Sequence, residues 1–250
     1  MIFSGCSKVI DVKLKSTAAQ LVITGEVNNL PGPYMVTISK TIDYTENNIF
    51  PSVSGAFVSI SGNGIVDTLT ETTAGTYTTH LLAGQPGQLY SLYVAVDGKV
   101  YTAASVMPYQ VPLDSIGFSI EGRKNNIRPI TYFQDPAGIP NYYEFIEYNH
   151  GKQFPNNRGW SVFDDRLSDG RYISNTLFDD STDIKRGDTL SVQMKCIDQP
   201  VYNYLFTLSQ IVGANGFSAP SPANPISNIN NNALGYFTAN TVQTKNAIVR

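Results

Sequence analysis

From Gln20 onward, apolar and polar residues alternate one by one in short runs, and the runs break at Gly, Pro or Asn. A period of two puts every second side chain on one face of an extended chain, so such runs specify half-buried antiparallel strands joined by tight turns. Leu21, Ile23, Gly25 and Val27 share a face, and Leu30-Pro31-Gly32-Pro33 turns the chain into Tyr34, Val36 and Ile38. Ala56, Val58 and Ile60 follow, closed by Ser61-Gly62-Asn63-Gly64, and the chain returns over 65–70. The clearest unit is 89–96, Asp97-Gly98, then 99–103. Asp-Gly supplies the two positive-φ residues of a type I′ turn, which fixes a hairpin. About six to eight such strands within roughly a hundred residues predict an immunoglobulin- or transthyretin-like β-sandwich over 17–107.

Two prolines in Met107-Pro108-Tyr109-Gln110-Val111-Pro112 resist both helix and central strand, and they mark a linker. A second β-rich domain is expected over 113–250, with strand-like runs at 115–120, 128–133 and 142–148 and a turn at Asn149-His150-Gly151. One amphipathic helix is expected near 199–212. Asp198 caps it, Pro200 suits its first turn, Val201, Tyr204, Leu205, Leu208, Ile211 and Val212 form its apolar stripe, and Gly213 ends it. The Pro-, Ser- and Asn-rich stretch 218–232 reads as a loop, and 235–249 as a closing strand or hairpin.

Hydrophobic residues make up 42% of the 250 residues, which supports a packed core and excludes disorder. A net charge of −3 gives no field to attract phosphate backbones, so nucleic acid is not an expected partner. Two cysteines exclude a disulfide scaffold and a Cys-rich zinc module, and no cofactor is expected. Cys196 follows Leu190, Val192 and Met194 at period two and reads as an inward-facing core thiol. No apolar run reaches the roughly 18 residues of a membrane-spanning helix.

Cys6 has a different context. Phe3, Ser4, Gly5 and Cys6 resemble the end of a bacterial lipoprotein signal, in which the cysteine thiol is lipidated. Residues 1–16 are then the remnant of that signal and a tether. The few residues before Cys6 are too short for an apolar h-region of about 7 to 15 residues. Either the start lies inside a longer signal or the segment is trimmed.

Several further pieces resemble the bacterial lipoprotein family catalogued as domain of unknown function 4249. They are Leu21-Val22-Ile23-Thr24-Gly25 before Pro31-Gly32-Pro33-Tyr34, Asp135-Pro136 before Asn141-Tyr142-Tyr143, and Asp165-Arg166-Leu167 with Asp169-Gly170. Asn224-Pro225-Ile226-Ser227-Asn228-Ile229 leading to Ala233-Leu234-Gly235-Tyr236-Phe237 completes the set, with Asn230-Asn231-Asn232 where a glycine pair is expected. The resemblance implies an outer-membrane lipoprotein, often encoded beside a TonB-dependent transporter. It carries no catalytic residue.

Side chains that could do chemistry are sparse. His80 and His150 fall in different expected domains, one on the outer face of a strand and one in a turn, and no hydrolase or nucleotide motif is present. Asp164, Asp165, Asp169, Asp179, Asp180, Asp183 and Asp188 crowd one stretch that could hold calcium, but they match no EF-hand spacing. Arg158, Arg166, Arg171, Lys185 and Arg186 interleave with them, which favours a solvated, self-paired loop. Among the aromatics, Tyr142, Tyr143 and Trp160 are the candidates for ligand binding, Trp160 in a loop-like setting. The triplets beginning at Asp67 and Asp114 resemble periplasmic O-glycosylation sites. The expected function is a non-enzymatic, lipid-anchored outer-membrane protein that assists a TonB-dependent transporter. A carbohydrate-binding module or weak glycosidase, and a structural adhesion protein, are the alternatives.

Overall fold

The computed structural model describes residues 18–43, 49–121, 126–154, 160–177, 184–212 and 224–250. Cys6 with residues 1–16, Arg158, Asp179, Asp180, Asp183 and Gly213 lie outside the described residues. The fold is mainly β, built from several sheets, with one helix.

The first strands are β1 (Leu21–Asn28), β2 (Met35–Lys40), β3 (Phe57–Gly62), β4 (Ile65–Thr68), β5 (Thr70–Thr73) and β6 (Thr76–Thr78). They are followed by the hairpin β7 (Leu89–Val96) and β8 (Lys99–Val106). Asp97 and Gly98 have φ of 50° and 70°, and Val96 pairs with Lys99, as the type I′ turn requires. The strands after the 107–112 segment are β9 (Leu113–Glu121), β10 (Asn126–Gln134), β11 (Tyr142–Asn149), β12 (Lys152–Gln153), β13 (Trp160–Asp164), β14 (Tyr172–Thr176) and β15 (Thr189–Ile197). The helix α1 (Gln199–Val212) and the long strand β16 (Leu234–Ile248) close the chain.

A large sheet in the order β12-β11-β15-β16-β1-β2-β6-β5, with β13 also on β11, backs both a four-stranded sheet β4-β3-β7-β8 and a three-stranded sheet β14-β10-β9. Two apolar clusters result. One joins Ile23, Val27, Val36 and Ile38 to Val58, Ile60, Leu92 and Val94. The other joins Tyr143, Phe145, Val192 and Met194 to Leu113, Phe133 and Ile173. Cys196 faces this second cluster as the alternation predicts, and burial pushes its thiol pKa up.

β16 runs past both. Its first half pairs in parallel with β1, from Val22 with Leu234 to Asn28 with Asn240, and its second half pairs antiparallel with β15. The parallel junction depends on Gly235, where φ is +88° and an added Cβ would stand 2.0 Å from the Ile23 carbonyl oxygen. On the opposite face of the large sheet, α1 lays Val201, Tyr202 and Leu205 against Ile197, Tyr142, Trp160, Val162 and Tyr236. Asp198 caps it by accepting from the Val201 backbone N–H at 3.2 Å. The stripe covers the sheet only through its first turns, because Ile211 is exposed.

Two sequence expectations change. Trp160 opens a strand rather than lying in a loop, paired with Ile146 and half-buried beside the helix. The positively charged, Gly-containing sequence before it hides a strand whose alternation is only five residues long. His80 lies beyond the end of β6 rather than on a strand, with Nε2 2.8 Å from the Thr70 hydroxyl.

Candidate functional site

Asp135 directly follows β10, Tyr143 lies in β11, and Asp165 and Asp169 follow β13, so three strand ends deliver these side chains to one place. One oxygen from each of Asp135, Asp165 and Asp169 lies within 4.8 Å of the others. Asp135 and Asp165 are buried and Asp169 is exposed. The Tyr143 hydroxyl donates to Asp135 Oδ1 at 2.5 Å, and the Gly170 N–H donates to Asp135 Oδ2 at 3.0 Å. The Asn141 N–H donates to Asp165 Oδ2 at 2.9 Å and the Gly138 N–H to Asp169 Oδ1 at 2.8 Å. Gly170 is required here, because its φ is +70° and a Cβ would come within 2.7 Å of the Ala137 Cβ.

Asp135-Pro136 and Asn141-Tyr142-Tyr143 lie in one stretch of chain and Asp165-Arg166-Leu167 and Asp169-Gly170 in another, and all four pieces contribute to this node. The chain belongs to the family described as domain of unknown function (DUF4249). That family's model matches residues 7–246. No curated protein matches the chain.

Chemically, the DUF4249 node is an all-oxygen cluster of the kind hard divalent cations accept, with Asp135, Asp165 and Asp169 as the available ligands. Protein donors already meet lone pairs on all three carboxylates, so it also works as a clasp holding strand ends together. Burial, with Asp135 and Asp169 nearby, pushes the Asp165 carboxyl above its ordinary range. A carboxyl raised in the folded state contributes stability at low pH that is lost as pH rises through the raised value. We therefore expect Asp165→Asn, in a chelator-containing buffer, to raise the melting temperature at pH 7 by about 2–3 °C and to flatten the decline between acid and neutral pH, measured by thermal denaturation.

Among the described residues, the acids of that stretch divide between separate places. Asp164 accepts from Arg166 Nε at 2.8 Å and from the Tyr202 hydroxyl at 2.5 Å. Burial and the Asp164 carboxylate push the Tyr202 phenol up to about 12, so it stays a donor. Asp188 accepts from the Lys185 N–H at 2.9 Å and Asn149 Nδ2 at 3.1 Å, and lies 3.2 Å from His150 Nε2.

Beside the node, a groove of about 390 Å³ is lined by Val106, Pro108, Tyr109, Ile139, Tyr142 and Ile197, with Gln110, Asn141, Asp198 and Gln199 as polar groups. Tyr142 half-faces this groove, its ring 5.0 Å from that of Tyr202. Tyr143 is fully buried among Phe133, Phe145 and Phe163, and serves to orient Asp135. Trp160 lies under the helix, outside the groove lining. Sequence reasoning missed Tyr109, which is 75% exposed at the groove mouth inside the expected linker, and Asp135, which lies outside the acidic stretch. The Asp-Pro step after an alternating run was the available signal for Asp135.

Proposed function

We propose that this DUF4249 chain is a non-enzymatic, lipid-anchored outer-membrane protein that docks to a TonB-dependent transporter or captures that transporter's ligand. The observation carrying the reading is the setting of Cys6. A lipobox-like Phe3-Ser4-Gly5 precedes it, and the family match begins at the next residue, Ser7. Lipidation of that thiol tethers a body in which no helix among the described residues is long and apolar enough to cross a membrane. In this reading, residues 17–107 are an immunoglobulin- or transthyretin-type sandwich, and 113–250 carry the node and the groove. The groove supports ligand capture, since Tyr109 and Tyr142 offer flat apolar faces and Gln110, Asn141 and Gln199 offer hydrogen bonds.

Affinity purification of the full chain from detergent-solubilised native membranes tests the partnership. Recovery of a TonB-dependent transporter with the wild-type chain, and its loss with Cys6→Ala, is the expected result. Equal recovery with both variants, or no transporter with either, contradicts it. Tyr109→Ala leaves co-purification intact while weakening ligand capture if the groove serves the ligand rather than the transporter.

A further inference from the structure

A second groove, of about 620 Å³, lies on the other side of β13, between that strand and β14. Phe163, Leu167, Tyr172 and Ile173 give it apolar walls, and Arg166 and Arg171 give it positive charge. Leu167 is 92% exposed, which an apolar side chain with no partner would not favour.

β14 ends the three-stranded sheet, so one of its edges meets no strand among the described residues. The hydrogen-bond phase shows what that edge offers. The Leu177 N–H donates to the Pro129 carbonyl at 2.9 Å and the Asp135 N–H to the Arg171 carbonyl at 3.0 Å. Residues 171 and 177 therefore point their backbone groups at β10. The antiparallel alternation then does the same for Ile173 and Asn175, and turns Tyr172, Ser174 and Thr176 outward. Tyr172 and Ser174 line the groove, so the outward N–H and C=O groups of an open strand flank an apolar, positively charged trough.

Charge decides between occupants. Asp164 is taken by Arg166 and Tyr202, whereas Arg171 is exposed and makes no ion pair among the described residues. A second copy pairing through β14 would bring no carboxylate, because Tyr172-Ile173-Ser174-Asn175-Thr176 contains none. We propose that the free edge of β14 takes an extended peptide segment carrying an acidic side chain, added as a further strand with its carboxylate on Arg171. The inference does not depend on lipid anchoring or on a transporter, since the edge recognises backbone plus one charge.

The test uses the full chain and a fluorescent peptide, acetyl-Thr-Val-Asp-Val-Thr-Val-Thr, followed by anisotropy. A matched peptide with Lys for Asp is expected to bind at least about tenfold more weakly, and one with a central Pro not to bind measurably. Ser174→Pro removes one outward donor without touching the β10 ladder and is expected to abolish binding, while Arg171→Glu inverts the Asp-over-Lys preference. Amide exchange supplies a readout in the unaltered protein, with the N–H groups of 172, 174 and 176 slowing when the Asp peptide is added. Wild-type affinity in folded Ser174→Pro, equal binding of the Asp and Lys peptides, self-association instead of peptide binding, or unchanged exchange at these amides would overturn the proposal.

Discussion

Replacing Lys195 with Met is expected to destabilise the protein by about 4 kcal/mol at pH 7, measured by denaturant unfolding. Lys195 in β15 is buried on the helix-side face of the large sheet, where Nζ donates to Glu26 Oε2 of β1 at 3.0 Å and lies 3.8 Å from Glu144 Oε2 of β11. Asn240 of β16 completes the network through Nδ2 to Glu26 Oε1 at 3.1 Å. Burial opposes the ammonium charge, but the Glu144 and Glu26 carboxylates outweigh it and hold the Lys195 pKa up. Burial raises the Glu144 carboxyl, and for Glu26 the opposing pull of Lys195, with Asn240, brings the pKa below its ordinary range. Methionine fills the space and removes the cation that both carboxylates share, leaving the buried Glu144 beside the half-buried Glu26 with no counter-charge among the described residues.

The sign with pH follows. A depressed Glu26 contributes stability present above its ordinary pKa and lost as pH falls through the depressed value. The variant lacks that contribution, and in it protonation of Glu144 relieves the repulsion. The difference between wild type and variant is therefore largest at neutral pH and shrinks toward pH 4. A constant difference from pH 4 to 8 would contradict the network as described.

The second large effect lies in the four-stranded sheet. Asp67 lies in β4 opposite Ile60 of β3, and its Oδ2 accepts the backbone N–H groups of His80, Leu81 and Leu82 at 2.9, 2.6 and 2.8 Å. The side chain is buried, so Asp67→Ala orphans three donors at once and is expected to cost about 3 kcal/mol. Asp67→Asn keeps an acceptor oxygen and should cost about half as much. Although burial works the other way, the three N–H donors together hold the Asp67 carboxyl below its ordinary range. The ionic part of its contribution is present above the ordinary carboxylate pKa and is lost as pH falls through the lowered one, so the stability gap between wild type and Asp67→Ala should narrow in acid toward the gap between Asp67→Asn and Asp67→Ala. Asp67 thus has a structural role in fixing the 80–82 turn, beside the exposed Thr68.

Local chemistry was legible in the sequence and long-range pairing was not. Asp97-Gly98 and the Asp198 cap are written in adjacent residues, and the hairpin and helix appear where those residues place them. The parallel pairing of β16 with β1 joins residues over two hundred positions apart, and nothing in either strand's alternation identifies its neighbour. Alternation also leaves parity open. It separates Tyr142 from Tyr143 but cannot say which one enters the core, and the structure puts Tyr143 there because Phe133 of the facing sheet and Asp135 just beyond it receive it. The carboxylate node was half legible. Asp165 and Asp169 stood out in an acidic run, whereas Asp135 reaches them only through the fold.

Lipid anchoring is tested most directly by intact-mass and peptide mass spectrometry of the chain extracted from native membranes. A lipid-anchored chain yields a mature product whose Cys6 thiol is lipidated and which partitions with the outer membrane. An unmodified Cys6 on a chain recovered from the cytosolic fraction would contradict it.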